Sequence, residues 1–270
     1  MTDDDTRMSV KNIILFGQTG AGKSSVVNLM AGHEVAQTSA GTERCTLRWE
    51  EFSLTFNKYT YKVFDTIGME EYQLGLEEYL DAIVNAYTLI EKLRKEGGIH
   101  LLLFCIRAGR FTSTIQNNYR LFYECLCQKE VPIVLVVTGL ETEQRMEDWW
   151  DKYKSTFDKR GIKVDDHVCI TAASGLIGKH KELYEQSRQL VYNAVVNLTN
   201  NRKVERDKRD GWDGGEGWFE RFISMLREFL GQTTLKQKQI ATVLTKRCGM
   251  PREAAVQLAK KVRPKLESST

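Results

Sequence analysis

The chain has 270 residues, 41% of them hydrophobic and 28% charged, which suits one large domain, or one of about 200 residues with an appendage, around a sizeable core. The net charge of +3 is uneven: residues 201–270 hold 16 Lys+Arg against 9 Asp+Glu, whereas residues 1–200 hold 23 against 27. The acidic start Met1-Thr2-Asp3-Asp4-Asp5 has no apolar region for a signal peptide, and the longest apolar runs, near 101–106 and 132–138, are too short to cross a bilayer, so a cytoplasmic protein is expected. The six cysteines form no C-x-x-C pair and are expected as free thiols, several of them buried.

Taken in order, Lys11 to Phe16 is an apolar run that predicts a buried strand. A glycine-rich turn follows, then a helix over Ser25 to Ala31 stopped by Gly32. His33 to Arg44 is polar and irregular. Cys45 to Phe56 and Thr60 to Phe64 predict two strands joined by a tight turn at Asn57-Lys58. A long amphipathic helix is expected from Leu76 to Lys95, closed by Gly97-Gly98. Strands over Ile99 to Ile106, Val131 to Val137 and Val164 to Thr171 alternate with helices over Thr112 to Lys129, Glu143 to Lys159 and Lys181 to Leu198. This alternation predicts an α/β fold: a mostly parallel sheet with helices on both faces and one antiparallel hairpin. Residues 1–10 are expected to form an acidic, disordered N-terminus and 11–200 the domain. Residues 201–217 are expected as a charged, glycine-rich linker, and 218–270 as a basic helical tail.

The organising stretch is Gly17-Gln18-Thr19-Gly20-Ala21-Gly22-Lys23-Ser24, with Ser25 opening the helix behind it. It fits G-x-x-x-x-G-K-[ST], the loop of P-loop nucleotidases, in the strand–loop–helix order that confirms the motif. Glycines let backbone N–H groups curl round phosphate oxygens. Lys23 adds a point charge for the β- and γ-phosphates, Ser24 a hydroxyl for Mg²⁺, and the helix N-terminus a favourable dipole. Asp65-Thr66-Ile67-Gly68, about forty residues on at a strand end, fits D-x-x-G. Its Asp65 can hold Mg²⁺ through water, and the Gly68 N–H can meet a γ-phosphate. Thr42, in the irregular loop, is the favoured Mg²⁺ ligand of the triphosphate state, in competition with Thr38, Ser39 and Thr46. Lys23, Thr42 and Gly68 are the expected catalytic set.

With these motifs in place the chain resembles a small GTPase-type G domain of the translation-factor-related class. Gly109-Arg110-Phe111-Thr112 resembles the Gly-Arg-Tyr/Phe-Thr box of the GTPases of immunity-associated proteins, and Thr42-Glu43-Arg44-Cys45 is similar to their Thr-Lys-Ser/Thr-Cys. Those proteins are kin to septins and chloroplast outer-envelope import receptors. The resemblance covers about residues 10–195 and does not reach the tail. It implies bound GTP or GDP with Mg²⁺, slow intrinsic turnover, and catalysis completed by a homodimer through the G domain or by another partner.

Two departures stand out. The base-reading Asn/Thr-Lys-x-Asp is replaced by Thr138-Gly139-Leu140-Glu141, so Glu141 could supply the carboxylate while the lysine is gone; in an alternative register Thr142 takes the Asp position. Met69 stands where many G domains keep a water-orienting Gln. Thr171-Ala172-Ala173 falls where G domains place Ser-Ala-Lys, with Ala172 offering its backbone to the base. Arg107 and Arg110 are candidate charge-stabilising arginines or surface ion-pair formers. The expectation is a slow Mg²⁺-dependent GTPase acting as a nucleotide switch or nucleotide-gated assembly module. The alternatives are an ATP-using or unselective P-loop nucleotidase and a non-hydrolysing nucleotide-gated scaffold. The basic tail is a solvated helical surface, or it binds an acidic partner or a membrane, folds back on the G domain or mediates dimers; no nucleic-acid partner is expected.

Overall fold

The computed structural model describes residues 10–36, 49–66, 76–173 and 179–200, with Gly211 and ten helical residues between 238 and 260. The elements run β1 (Lys11–Gly17), α1 (Lys23–Ala31), β2 (Trp49–Phe56), β3 (Tyr59–Thr66), α2 (Leu76–Lys95), β4 (Leu101–Arg107) and α3 (Ser113–Tyr119). A π-helical turn (Arg120–Leu126) leads to β5 (Ile133–Thr138), α4 (Glu147–Lys159), β6 (Asp166–Cys169) and α5 (Lys179–Asn200). The six strands lie in the order β2-β3-β1-β4-β5-β6. Among the described residues only the β2–β3 pair is antiparallel.

The central strands are apolar at nearly every position because both faces of the sheet are covered. Ile14 and Phe16 of β1, with Phe64, Phe104 and Leu135, face the layer containing α2, α3 and α4. Ile13 and Leu15, with Val63, Leu103 and Val136, face α1 and α5. Each such buried side chain contributes roughly 1.5–3 kcal/mol. Phe16 stacks between Phe104 and Phe122, with ring centroids 4.8 and 4.6 Å away.

Local chemistry sets the turns. Asn57 (φ 48°) and Lys58 (φ 68°) both take the left-handed conformation that a two-residue hairpin needs. Helix α2 occupies the predicted span and closes with Gly98 N–H donating to Leu93 O at 2.8 Å. The single helix expected over Thr112 to Lys129 is instead a short α-helix followed by the wide turn, marked by Cys127 N–H donating to Phe122 O. Gln128 and Lys129, at φ 53° and 62°, then reverse the chain ahead of β5.

Two contacts tie the ends of the chain to this frame. The buried Lys11 ammonium donates to Thr199 O at 2.9 Å and to the Asn200 side chain, and lies over the Tyr59 ring. Gly211, within the stretch expected as a linker, donates its N–H to Gly97 O at 2.8 Å, so close that a Cβ there would sit 2.6 Å from His100 Nδ1. From the tail, Ala241, Ala255 and Ala259 are buried in the cluster on the α2–α3–α4 side.

Candidate functional site

The loop between β1 and α1 is shaped by Gly17, Gly20 and Gly22, at φ 147°, 73° and 80°. A Cβ on Gly17 would collide with the carbonyl oxygen of Cys105 on β4, and one on Gly22 would press on Thr138 at 3.2–3.4 Å, while Gly20 faces open space. Gly22 caps α1 without a side chain, so the first amides of the helix are left for an anion or solvent. Lys23, only 8% exposed, folds its ammonium back over the loop, 3.2 Å from Gln18 O and 3.5 Å from Gly17 O. Bonds this long are readily exchanged for a phosphate oxygen.

Strand β3 runs parallel to β1 and delivers Asp65 beside the loop. Ser24 Oγ donates to Asp65 Oδ2 at 2.7 Å, and Asp65 Oδ1 is buried with no hydrogen-bond partner among the described residues. Burial pushes the Asp65 carboxyl above the usual carboxylate range, while the Lys23 ammonium and the Ser24 bond pull it down and Glu50 raises it. A hydroxyl and a buried carboxylate with an unbonded oxygen make an all-oxygen set that fits a small hard cation such as Mg²⁺. The neighbouring Thr66 hydroxyl donates to Leu15 O at 2.8 Å and locks β3 to β1.

The carboxyl ends of β4 and β5 complete the rim. The Thr138 hydroxyl lies 2.9 Å from Ala21 O and 3.3 Å from Ile106 O, supporting the glycine loop from beneath. Glu141 accepts a hydrogen bond from Thr171 Oγ1 at 3.3 Å. Thr171 is fully buried and its N–H donates to Ser187 Oγ on α5, so the carboxylate is held by an anchored partner, with the buried Ala172 alongside. Thr112 accepts from Ile115 N–H as the cap of α3, and its hydroxyl lies 3.5 Å from Gln18 Oε1. The Gly-Arg-Phe-Thr stretch thereby touches the loop. Gly139 is left-handed at φ 81°, and the side chain of Arg107 lies across it.

Of the residues expected at the site, Gly17 to Ser25, Asp65, Thr138, Glu141 and Ala172 lie on these ends of β1, β3, β5 and β6 and the adjoining loops. Thr42, Gly68 and Met69 fall outside the described residues. The pattern gave no warning of Thr138 as a prop, of Arg107 over Gly139, or of Asn28. The Asn28 Oδ1 accepts from Val35 N–H (2.8 Å) and Ala36 N–H (2.7 Å), clasping the start of the segment after α1. An asparagine inside an otherwise apolar helix face was its only signal. Among the described residues no cluster of three or more His, Cys, Asp or Glu side chains is placed to hold a metal by itself, and no helix is long and apolar enough to cross a membrane. Cys105 and Cys169 are buried thiols pushed up to about 12 by burial, which keeps them unreactive at neutral pH.

The chain is similar to immune-associated nucleotide-binding protein 7 of Arabidopsis thaliana, 28% identical over 164 residues, covering 58% of this chain and 51% of that protein. Immune-associated nucleotide-binding protein 3 of the same plant is 26% identical over 207 residues, covering 74% of this chain and 60% of the relative. The chain thus spans little more than half the length of these relatives. In fold it is similar to Toc33 from Arabidopsis thaliana in complex with GDP and Mg²⁺, with TM-score 0.50, 18% identity, and coverage of 73% of this chain and 86% of that one. Toc33 has also been solved as a dimerization-deficient mutant. Residues 11–205 match the model of the AIG1 family, and the chain belongs to that family.

Proposed function

We propose that residues 11–200 form a guanine-nucleotide-binding, Mg²⁺-dependent GTPase of low intrinsic turnover, whose nucleotide state gates assembly through the G domain. The observation that carries this is the glycine loop with Lys23 folded over it and Ser24 bonded to the buried Asp65 at 2.7 Å. The loop amides and the Lys23 ammonium neutralise β- and γ-phosphate charge. The Ser24 hydroxyl, the Asp65 carboxylate and Thr42 hold Mg²⁺, which adds charge neutralisation on the phosphate oxygens. Gly68 senses the γ-phosphate through its N–H. Glu141, held by Thr171, takes the guanine N1–H and N2–H groups, and the Ala172 backbone meets the base. Family membership and the GDP and Mg²⁺ bound to Toc33 favour this over other P-loop chemistries. Toc33's dimerization and the family resemblance support the homodimer.

The missing lysine at Gly139 favours a second reading, an unselective or ATP-using nucleotidase on the same scaffold. Calorimetry with GTP, GDP, ATP and ADP in Mg²⁺ decides between them. Selective guanine binding that Lys23→Ala abolishes and Glu141→Ala makes unselective is the expected outcome. Equal or adenine-selective binding by the wild type gives the second reading instead. Phosphate release from GTP that survives Lys23→Ala overturns the catalytic assignment. Negligible release by the wild type, with oligomerisation that still follows nucleotide state, leaves a non-hydrolysing scaffold.

A further inference from the structure

With Glu141 at the Asp position, residue 139 is where a G domain keeps the lysine beside its base, and here it has no side chain. Arg107, the last residue of β4, fills the space above it. A Cβ on Gly139 would lie 3.3 Å from Arg107 Cγ, 3.5 Å from Nε and 3.8 Å from Cζ, so the arginine is draped along the glycine from its stem to its guanidinium. Arg107 pairs with Thr138 in the β4–β5 register and is the one exposed residue of an otherwise buried strand. Thr138 touches the glycine loop at Ala21, and Glu141 stands two residues beyond Gly139 on the same strand end. The guanidinium therefore stands on the rim that runs from the phosphate loop to the Glu141 carboxylate.

We propose that Arg107 is a base-holding residue: its planar guanidinium stacks on the face of the purine, from a neighbouring strand, in place of a side chain at position 139. Arginine suits this because its delocalised cation stacks on π-faces, which an ammonium does less well. A face contact is blind to the pattern of donors and acceptors on the base edge. Arg107 thus sets affinity for any purine nucleotide, and Glu141 sets the choice between them. The glycine at 139 is then a requirement, since a Cβ there pushes the arginine off its seat. The inference rests on the nucleotide-binding reading above.

The test is calorimetry on the full chain with GDP, inosine diphosphate and ADP, each with Mg²⁺. Arg107→Ala is expected to weaken GDP and inosine diphosphate by a common factor of about ten, leaving their ratio as in the wild type. Arg107→Lys recovers only part of this. Gly139→Ala weakens binding when Arg107 is present and adds little to Arg107→Ala, a non-additivity that a mere loss of stability would not produce. Wild-type affinities in Arg107→Ala, or a loss confined to GDP, overturn the proposal; so does additivity of the two substitutions. Equal wild-type affinities for GDP and ADP overturn guanine selectivity alone, and a common loss in Arg107→Ala then still supports the platform. A wild type that binds none of the three overturns both.

Discussion

A single methyl group separates residue 17 from a clash, because its Cβ would meet the carbonyl oxygen of Cys105 on the neighbouring strand. Residue 20 shares the positive φ but faces open space. Gly17→Ala is therefore expected to lower stability by about 2–3 kcal/mol and Gly20→Ala by about 1 kcal/mol, measured by denaturant unfolding of the nucleotide-free protein. Tyr119 shows the same reasoning for a titrating group. Its phenol is 2% exposed, donates to Lys163 O at 2.9 Å and accepts from Lys163 N–H at 3.0 Å. Burial raises it from 10.0 to about 12, with the Lys163 bond opposing. A folded value above the unfolded one means the folded chain holds this proton more tightly. That stability is intact below pH 10 and is lost as the pH climbs towards 12. Tyr119→Phe should make the melting temperature fall less steeply across that window, at a cost of roughly 1 kcal/mol near neutrality from the lost hydrogen bonds.

At the scale of elements, what could be read from the chain was what local sequence encodes. Apolar runs fixed β1, β4 and β5, and α2 occupies the span that its periodicity and glycine pair predict. The left-handed pair Asn57-Lys58 set the hairpin. The phosphate-loop and D-x-x-G motifs were legible because each is contiguous, and the parallel β1–β3 pairing brings Ser24 and Asp65 together. The π-helical turn was hidden because nothing in its apolar spacing separates one wide turn from continued α-helix. Contacts across the fold were hidden as well. Thr138 meets Ala21 across 117 residues and Glu141 meets Thr171 across 30, and neither separation carries a local signal. Thr112 joins the two kinds of information, since it caps α3 and reaches Gln18 of the loop. Thr112→Ala should cost about 1 kcal/mol in thermal unfolding, with Thr112→Ser restoring most of it.

Across the whole molecule, the basic tail carries a charge opposite to that of residues 1–200, and its buried Ala241, Ala255 and Ala259 join the core cluster beside α2, α3 and α4. Gly211 is the described foothold between them. A Cβ there would meet the Gly98 backbone at 2.7 Å as well as His100, whose Nδ1 accepts from Asn12 N–H at 3.0 Å. Gly211→Ala is thus expected to destabilise by about 1–3 kcal/mol, seen as a lower melting temperature of the full chain.

The ammonium of Lys11 on the end of α5 places the first strand and the last helix of the domain in direct contact. A domain whose entrance and exit share one doorway can be spliced into a surface loop of a host protein without prising the host apart. By the same geometry, residues 11 and 200 can be joined by a short bridge and that stretch reopened at Asn57-Lys58. The order of the strands along the polypeptide would change while their order in space stayed the same.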